Sequence, residues 1–273
     1  MFNIIRMDLY RLFHSKAIKI GILAAVIISF MGMLINWGIV SIVNWTTGGD
    51  VSALIGMSMF IPAIAWVEGA DFASIVLTGT GALSLFISCM IASSFIGAEQ
   101  SCGYVKNIAG QISNKGNTIL SKFVVTCLIQ FIILAVYAIV CSICTPIFFN
   151  QFITSYSIGE LFAALGLRFL LFCAIDAILL FFCTLTKSHA VSMVVGAIFG
   201  VGVTNIAYFM INMLLGIAKI NVNVSEIMPD GINGTLAIGS LDTIAVKAIV
   251  VSIIFIIAFV GIAVAIFKKR DVR

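Results

Sequence analysis

Apolar residues in this chain come in long runs rather than at alternate positions. Runs near 18–42, 73–98, 120–145, 161–185, 190–217 and 244–267 are separated by shorter polar segments. A helix rises ~1.5 Å per residue, so each run can cross roughly 30 Å of hydrocarbon. Inside lipid the backbone must satisfy its own polar groups, and no period-2 alternation marks barrel strands. The pattern predicts six transmembrane helices. Trp37 and Trp45 fall where the first run would meet the interface, and Pro146 is expected to end the third.

Before the first run, Phe2, Ile5, Leu9 and Leu12 recur at spacings of three and four, and Arg6, Asp8, Arg11 and His14 occupy other faces. That spacing predicts an amphipathic helix over 1–16 lying in the membrane interface. It does not read as a signal peptide, because the following run is too long and no small-residue cleavage pattern closes it.

A shorter run, VSALIGMSMFIPAIAW at 51–66, contains Pro62 and lies between Asp50 and Glu68. Charge parity decides its reading, since cytoplasmic flanks collect Lys and Arg. Six crossings from an inside start place Arg6, Arg11, Lys16, Lys19, Lys106, Lys115, Lys122, Lys187, Lys268, Lys269, Arg270 and Arg273 on one side, twelve of the 15 basic residues. A seventh crossing would put the basic tail outside. The 44–72 segment is therefore expected to be an outer re-entrant or interfacial element. Residues 17–273 form one six-helix domain with both termini cytoplasmic. The acids Asp50, Glu68, Asp71, Glu160, Glu226, Asp230 and Asp242 fall in the outer loops.

Composition agrees. Hydrophobic residues make up 62% and charged residues 10% of 273, with a mean hydropathy of +1.22. Those values exclude a soluble globular domain. The net charge of +4 is too small and too close to the membrane to point to nucleic acid. The seven cysteines are odd in number and lie mostly in apolar runs, so they do not make a disulfide scaffold. Cys141-x-x-Cys144 has redox or metal spacing, but small buried thiols are the simpler reading. There are two histidines, His14 and His189, and neither has a ligand set beside it. Phosphate-loop, zinc-protease and hydrolase-elbow motifs are absent, so no catalytic residue, cofactor or metal is expected in this chain.

The longest basic polar interruption is EQSCGYVKNIAGQISNKGNTILSK, residues 99–122. Glu99 ends the second run, Gly103, Tyr104, Lys106 and Asn107 follow, and Lys122 opens the third. This arrangement resembles the ABC-2 permease family, in which span two ends in Glu, a Gly and a basic residue lead into a short coupling helix, and a Lys opens span three. The amphipathic start, the six spans and the short turn at Leu185-Thr186-Lys187-Ser188-His189 resemble that family too. The family often has Gly-Thr before the helix and Pro-x-x-Arg after it; here Gly103-Tyr104 and Ile112-Ser113-Asn114-Lys115 stand in those places. The resemblance implies that 99–122 is a cytoplasmic coupling loop docking on separate ABC ATPase subunits, which hold the ATP and Mg. It also implies a second permease subunit, self or homologue, giving twelve spans. The expected activity is export of a peptide, antimicrobial or other amphiphile across the bacterial cytoplasmic membrane. A plain solvated loop is the alternative for the segment. An ion-gradient-driven carrier, or a non-transport scaffold or signalling partner, is the alternative for the whole chain.

Within the runs, Arg168 and Asp176 stand out, because a charge at mid-bilayer costs roughly 2.5–3.5 kcal/mol on insertion scales. Eight residues apart, they rise about 12 Å along one helix, too far for a close pair. They are either substrate or gating contacts or interhelical ties. Thr80, Ser84 and Ser88 form one stripe, and Asn205, Tyr208 and Asn212 another; each lines a pathway or joins helices. Gly196-x-x-x-Gly200 allows close helix approach, within one subunit or between two.

Overall fold

The computed structural model describes residues 2–47, 70–101, 116–149, 152–153, 156–186, 188–217 and 223–269. The 51–66 run, Gly103, Tyr104, Lys106 and Asn107 lie outside these residues.

The described chain is helical, and the apolar runs are its helices. In chain order these are α1 Phe2–His14, α2 Lys16–Thr47, α3 Phe72–Gly79, α4 Ala82–Ser101, α5 Gly116–Phe148, α6 Ile158–Thr186, α7 His189–Val201, α8 Val203–Ile217, α9 Pro229–Thr235 and α10 Leu241–Lys269. Two-residue strands at Ala70–Asp71 and Phe152–Ile153 pair in parallel. Five stretches are long and apolar enough to cross a membrane: Lys16–Val43, Phe72–Gly97, Gly116–Phe148, Ile158–Thr186 and Ile238–Lys269. The bent pair α7–α8 makes a sixth if it is one span. The chain thus has the build of a multi-pass membrane protein.

Local chemistry sets several boundaries. Ser15 divides α1 from α2: its hydroxyl donates to the Leu12 carbonyl at 2.8 Å and accepts from the Ile18 amide at 3.4 Å, as a helix cap does. Ser157 and Glu160 form a reciprocal capping box at the start of α6, at 3.1 and 3.3 Å. Pro146 does not end α5, which runs on to Phe148. The proline ring deletes one donor near a helix end, and the Phe149 amide still reaches the Thr145 carbonyl at 2.9 Å.

α6 is the centre of the bundle. Two thirds of its most apolar window is buried, against 17% for α10. Leu85, Cys89, Leu134, Phe172, Ile175 and Leu179 join α6 to α4 and α5. Leu167, Leu171, Ile232, Leu236 and Ala248 join it to α9 and α10. Most of the apolar surface of α8 and α10 faces outward, as expected where lipid is the solvent.

α1 is amphipathic as expected, with one acidic residue on its packed face. Leu9 and Leu12 pack with Val125 and Ile129 of α5, but Asp8 is buried with them at 1% exposure. It accepts a 2.6 Å hydrogen bond from the Ser121 hydroxyl. Asp8 and Leu12 are four apart and share a face; the partner across the interface makes a carboxylate acceptable there.

Candidate functional site

Two of the long apolar stretches are broken, and the breaks lie side by side. The first is at Thr80-Gly81, between α3 and α4. Past it the Gly81 amide bonds back to the Thr78 carbonyl at 3.1 Å, so the Leu77 carbonyl loses its helical donor. Two side chains replace that donor: the Thr80 hydroxyl at 2.8 Å and Nη1 of Arg168 from α6. Nη1 also donates to Thr80 Oγ1 at 2.9 Å, and Arg168 Nε donates to Asn233 Oδ1 at 2.9 Å. Arg168 is 3% exposed. A cation at the carbonyl end of α3 meets the negative end of that helix dipole. No carboxylate among the described residues forms an ion pair with it.

The second break is at Gly202. It caps α7 in the left-handed region, at φ 79°, and turns α8 away by 71°. Only glycine adopts that backbone freely. Gly200 and Gly196 bring α7 onto α4: a Cβ on Gly200 would lie 2.5 Å from Phe86 Cα, and one on Gly196 3.2 Å from Cys89 Cβ. The small-residue pair therefore serves packing inside the subunit. Ser93 and Ser192 fasten the same contact at 3.1 Å.

Between the breaks lies a cavity of about 280 Å³. Thr78 and Gly81 bound it on one side and Gly202 and Asn205 on the other, with Arg168 and Asp230 across. Asp230 and Asn233 belong to α9, part of the segment between the last two runs. There a turn of 3-10 helix at Val224–Glu226 and α9 fold back over the bundle. Tyr208 donates to Asp230 Oδ1 at 2.8 Å, and Asn212 bonds Asn223 at 2.6 Å and the Val224 amide at 2.8 Å. At this end of the bundle Lys247 donates to Glu226 at 2.5 Å, which holds the Glu226 carboxyl below the usual carboxylate range.

Each described residue singled out from the sequence as a site candidate now has a place. Arg168 and Asn205 line the cavity, and Arg168 holds Thr80 beside it. Tyr208 and Asn212 tie α8 to the segment that covers it. Ser84 and Ser88 are buried; Ser84 donates to the Thr80 carbonyl at the break at 2.6 Å, and Ser88 donates to the Ser84 carbonyl of its own helix at 2.8 Å. Asp176 lies elsewhere, deep between α6 and α5, where Gln130 Nε2 donates to its Oδ1 at 2.9 Å. Asp176 Oδ2 and Gln130 Oε1 are buried without a partner among the described residues. Glu99 sits near the end of α4. Lys122 is buried in the first turns of α5, within electrostatic reach of Asp8 and Arg11. The six described cysteines form no disulfide with one another, and no cluster among the described residues could hold a metal.

Asp230, Asn233 and Gln130 were not anticipated as site residues. Asp230 and Asn233 sit in MPDGINGT, which reads as turn chemistry; Asn233, in an N-x-T match, is 8% exposed and committed to Arg168. The available signal was the buried arginine, which demanded acceptors. No protein-family model matches this chain, and no curated protein matches it.

Proposed function

We propose that this chain is the transmembrane permease subunit of an ATP-driven ABC-2-type exporter in the bacterial cytoplasmic membrane. It works with separate ABC ATPase subunits and a second permease subunit, and its cargo is a peptide, an antimicrobial or another amphiphile. Six spans with both termini in the cytoplasm put the basic 99–122 loop on the ATPase side. The observation that carries the reading is the seat of α1. The interfacial helix rests on the first turns of α5, the helix that follows that loop, through Asp8–Ser121 and the Leu9, Leu12, Val125 and Ile129 contact. A push on the loop would then move the base of a span and the interfacial helix together, the rigid-element coupling that a two-state transporter needs.

The test is copurification with a nucleotide-binding subunit, followed by export measured in vesicles. Glu99→Lys, or an insertion beside Lys106, is expected to leave ATP hydrolysis running while export falls about tenfold or more. Full export with no ATPase present would end the proposal. The buried Asp176–Gln130 pair favours a second reading, a carrier driven by an ion gradient, because an intramembrane carboxyl is a natural proton site. In that case dissipating the gradient, rather than removing ATP, stops transport.

A further inference from the structure

The cavity between the helix breaks carries hydrogen-bonding capacity that the protein does not use. Asp230 is 6% exposed. Tyr208 occupies its Oδ1, and its Oδ2 is buried with no partner among the described residues. Arg168 commits Nε to Asn233 and Nη1 to Leu77 and Thr80, while its Nη2 amino group donates to no described residue. Asp230 and Asn233 are three apart on α9 and so share a face, and Asn233 holds Arg168. The cation and the carboxylate thus border one cavity without pairing with each other. Leu85, Phe199 and Leu236 complete the wall with apolar surface. A buried carboxylate oxygen and a buried guanidinium, held apart by fixed partners, need opposite charges between them.

We propose that this cavity binds a zwitterionic headgroup in which a primary ammonium is joined to a phosphate. The ammonium donates to Asp230 Oδ2, and the phosphate accepts from Arg168 Nη2. A quaternary ammonium has no N–H to give, so the site distinguishes ethanolamine from choline headgroups. At about 280 Å³ the cavity takes a headgroup and excludes acyl chains. The shared chemistry has two sources, phosphatidylethanolamine of the bilayer or free phosphoethanolamine. The proposal does not depend on the export reading.

The test uses the full chain in phosphatidylcholine nanodiscs, with phosphatidylethanolamine or with soluble phosphoethanolamine added. Native mass spectrometry reads bound ligand, and the apparent Tm reads the linked stabilisation. The wild-type chain is expected to retain the ethanolamine ligand over phosphatidylcholine. Asp230→Asn, which keeps the shape and removes the charge, is expected to weaken retention about tenfold or more. Asn205→Trp fills the cavity from an exposed position whose side chain makes no hydrogen bond to a described residue, so it carries the test even if Asp230→Asn does not fold. Glu226→Gln, outside the cavity, is expected to bind as wild type does. Binding of the soluble compound assigns a free source, and binding of the lipid alone assigns the bilayer. Equal retention of ethanolamine and choline lipids overturns the proposal, as does unchanged binding in a folded Asp230→Asn or Asn205→Trp chain.

Discussion

Arg168 is the side chain on which most separate elements depend. It donates to α3, to the Thr80 break and to α9, and each acceptor is buried away from water. Lysine keeps the charge but offers one point donor in place of a planar fork, so it cannot reach Leu77, Thr80 and Asn233 together. Arg168→Lys is expected to cost about 2 kcal/mol, and Arg168→Met more, because the orphaned acceptors add their own desolvation cost. Thermal unfolding in detergent measures both; a Met variant as stable as wild type would show the arginine to be dispensable for the fold. Asp176 makes a different prediction from its single bond. Asp176→Asn retains an acceptor for Gln130 and should shift stability by less than about 0.5 kcal/mol. Asp176→Leu strands the buried Gln130 amide, at roughly 1–3 kcal/mol. The order of the two Tm values decides whether the Gln130 bond matters. Glu226 is a weaker case. Its carboxyl is held low by Lys247, so any stabilisation is present above the ordinary carboxylate pKa and fades as pH falls through the lower folded value. The pair is exposed and screened by salt, so little depends on it.

At the scale of elements, the two breaks shape the site, and glycine makes the second possible. Gly202 sits at φ 79°, which alanine enters only with strain and asparagine tolerates better. Gly202→Ala is therefore expected to cost about 1 kcal/mol, with Gly202→Asn in between. Gly200 is constrained by space rather than angle: a methyl group there meets the backbone of α4. Gly200→Ala should force α4 and α7 apart at roughly 1–3 kcal/mol. Comparing the four Tm values separates the two causes, since asparagine should rescue position 202 and worsen position 200. These positions also mark where the sequence was legible. Long apolar runs identified the helices, because span length and the backbone's need for internal hydrogen bonds leave few alternatives. The breaks were hidden inside the runs, because Thr80, Gly81 and Gly202 change hydropathy little. The closely spaced pairs Gly79-x-Gly81 and Gly200-x-Gly202 were the trace they left. Arg168 was visible as a misplaced charge. Its partners were not, because Asn233 lies 65 residues away in a segment whose composition reads as turn.

At the scale of the molecule, the two ends differ in charge, and that difference is the strongest argument about sidedness. Arg6, Arg11, Lys16, Lys122, Lys268 and Lys269 gather at one end; Asp71, Glu160, Glu226, Asp230 and Asp242 gather at the other. If the basic end is cytoplasmic, as Lys and Arg bias requires, α1 and the end of α10 share a compartment and the number of crossings is even. The described helices supply six when α7 and α8 count as one span. A crossing by 51–66 would make seven and place Arg6 and Lys268 on opposite sides. Single cysteines at Arg6, Glu226 and Lys268, all exposed positions, test this with a membrane-impermeant maleimide, after subtraction of labelling in the unsubstituted chain. Glu226→Cys is expected to react in intact cells. Arg6→Cys and Lys268→Cys are expected to react only after permeabilisation. Opposite behaviour of Arg6→Cys and Lys268→Cys would make 51–66 a crossing. Four crossings separate the 99–122 loop from the basic tail, so with Arg6 inside both would move to the outer face together, and the docking of 99–122 on an ATPase would then require Arg6 to lie outside.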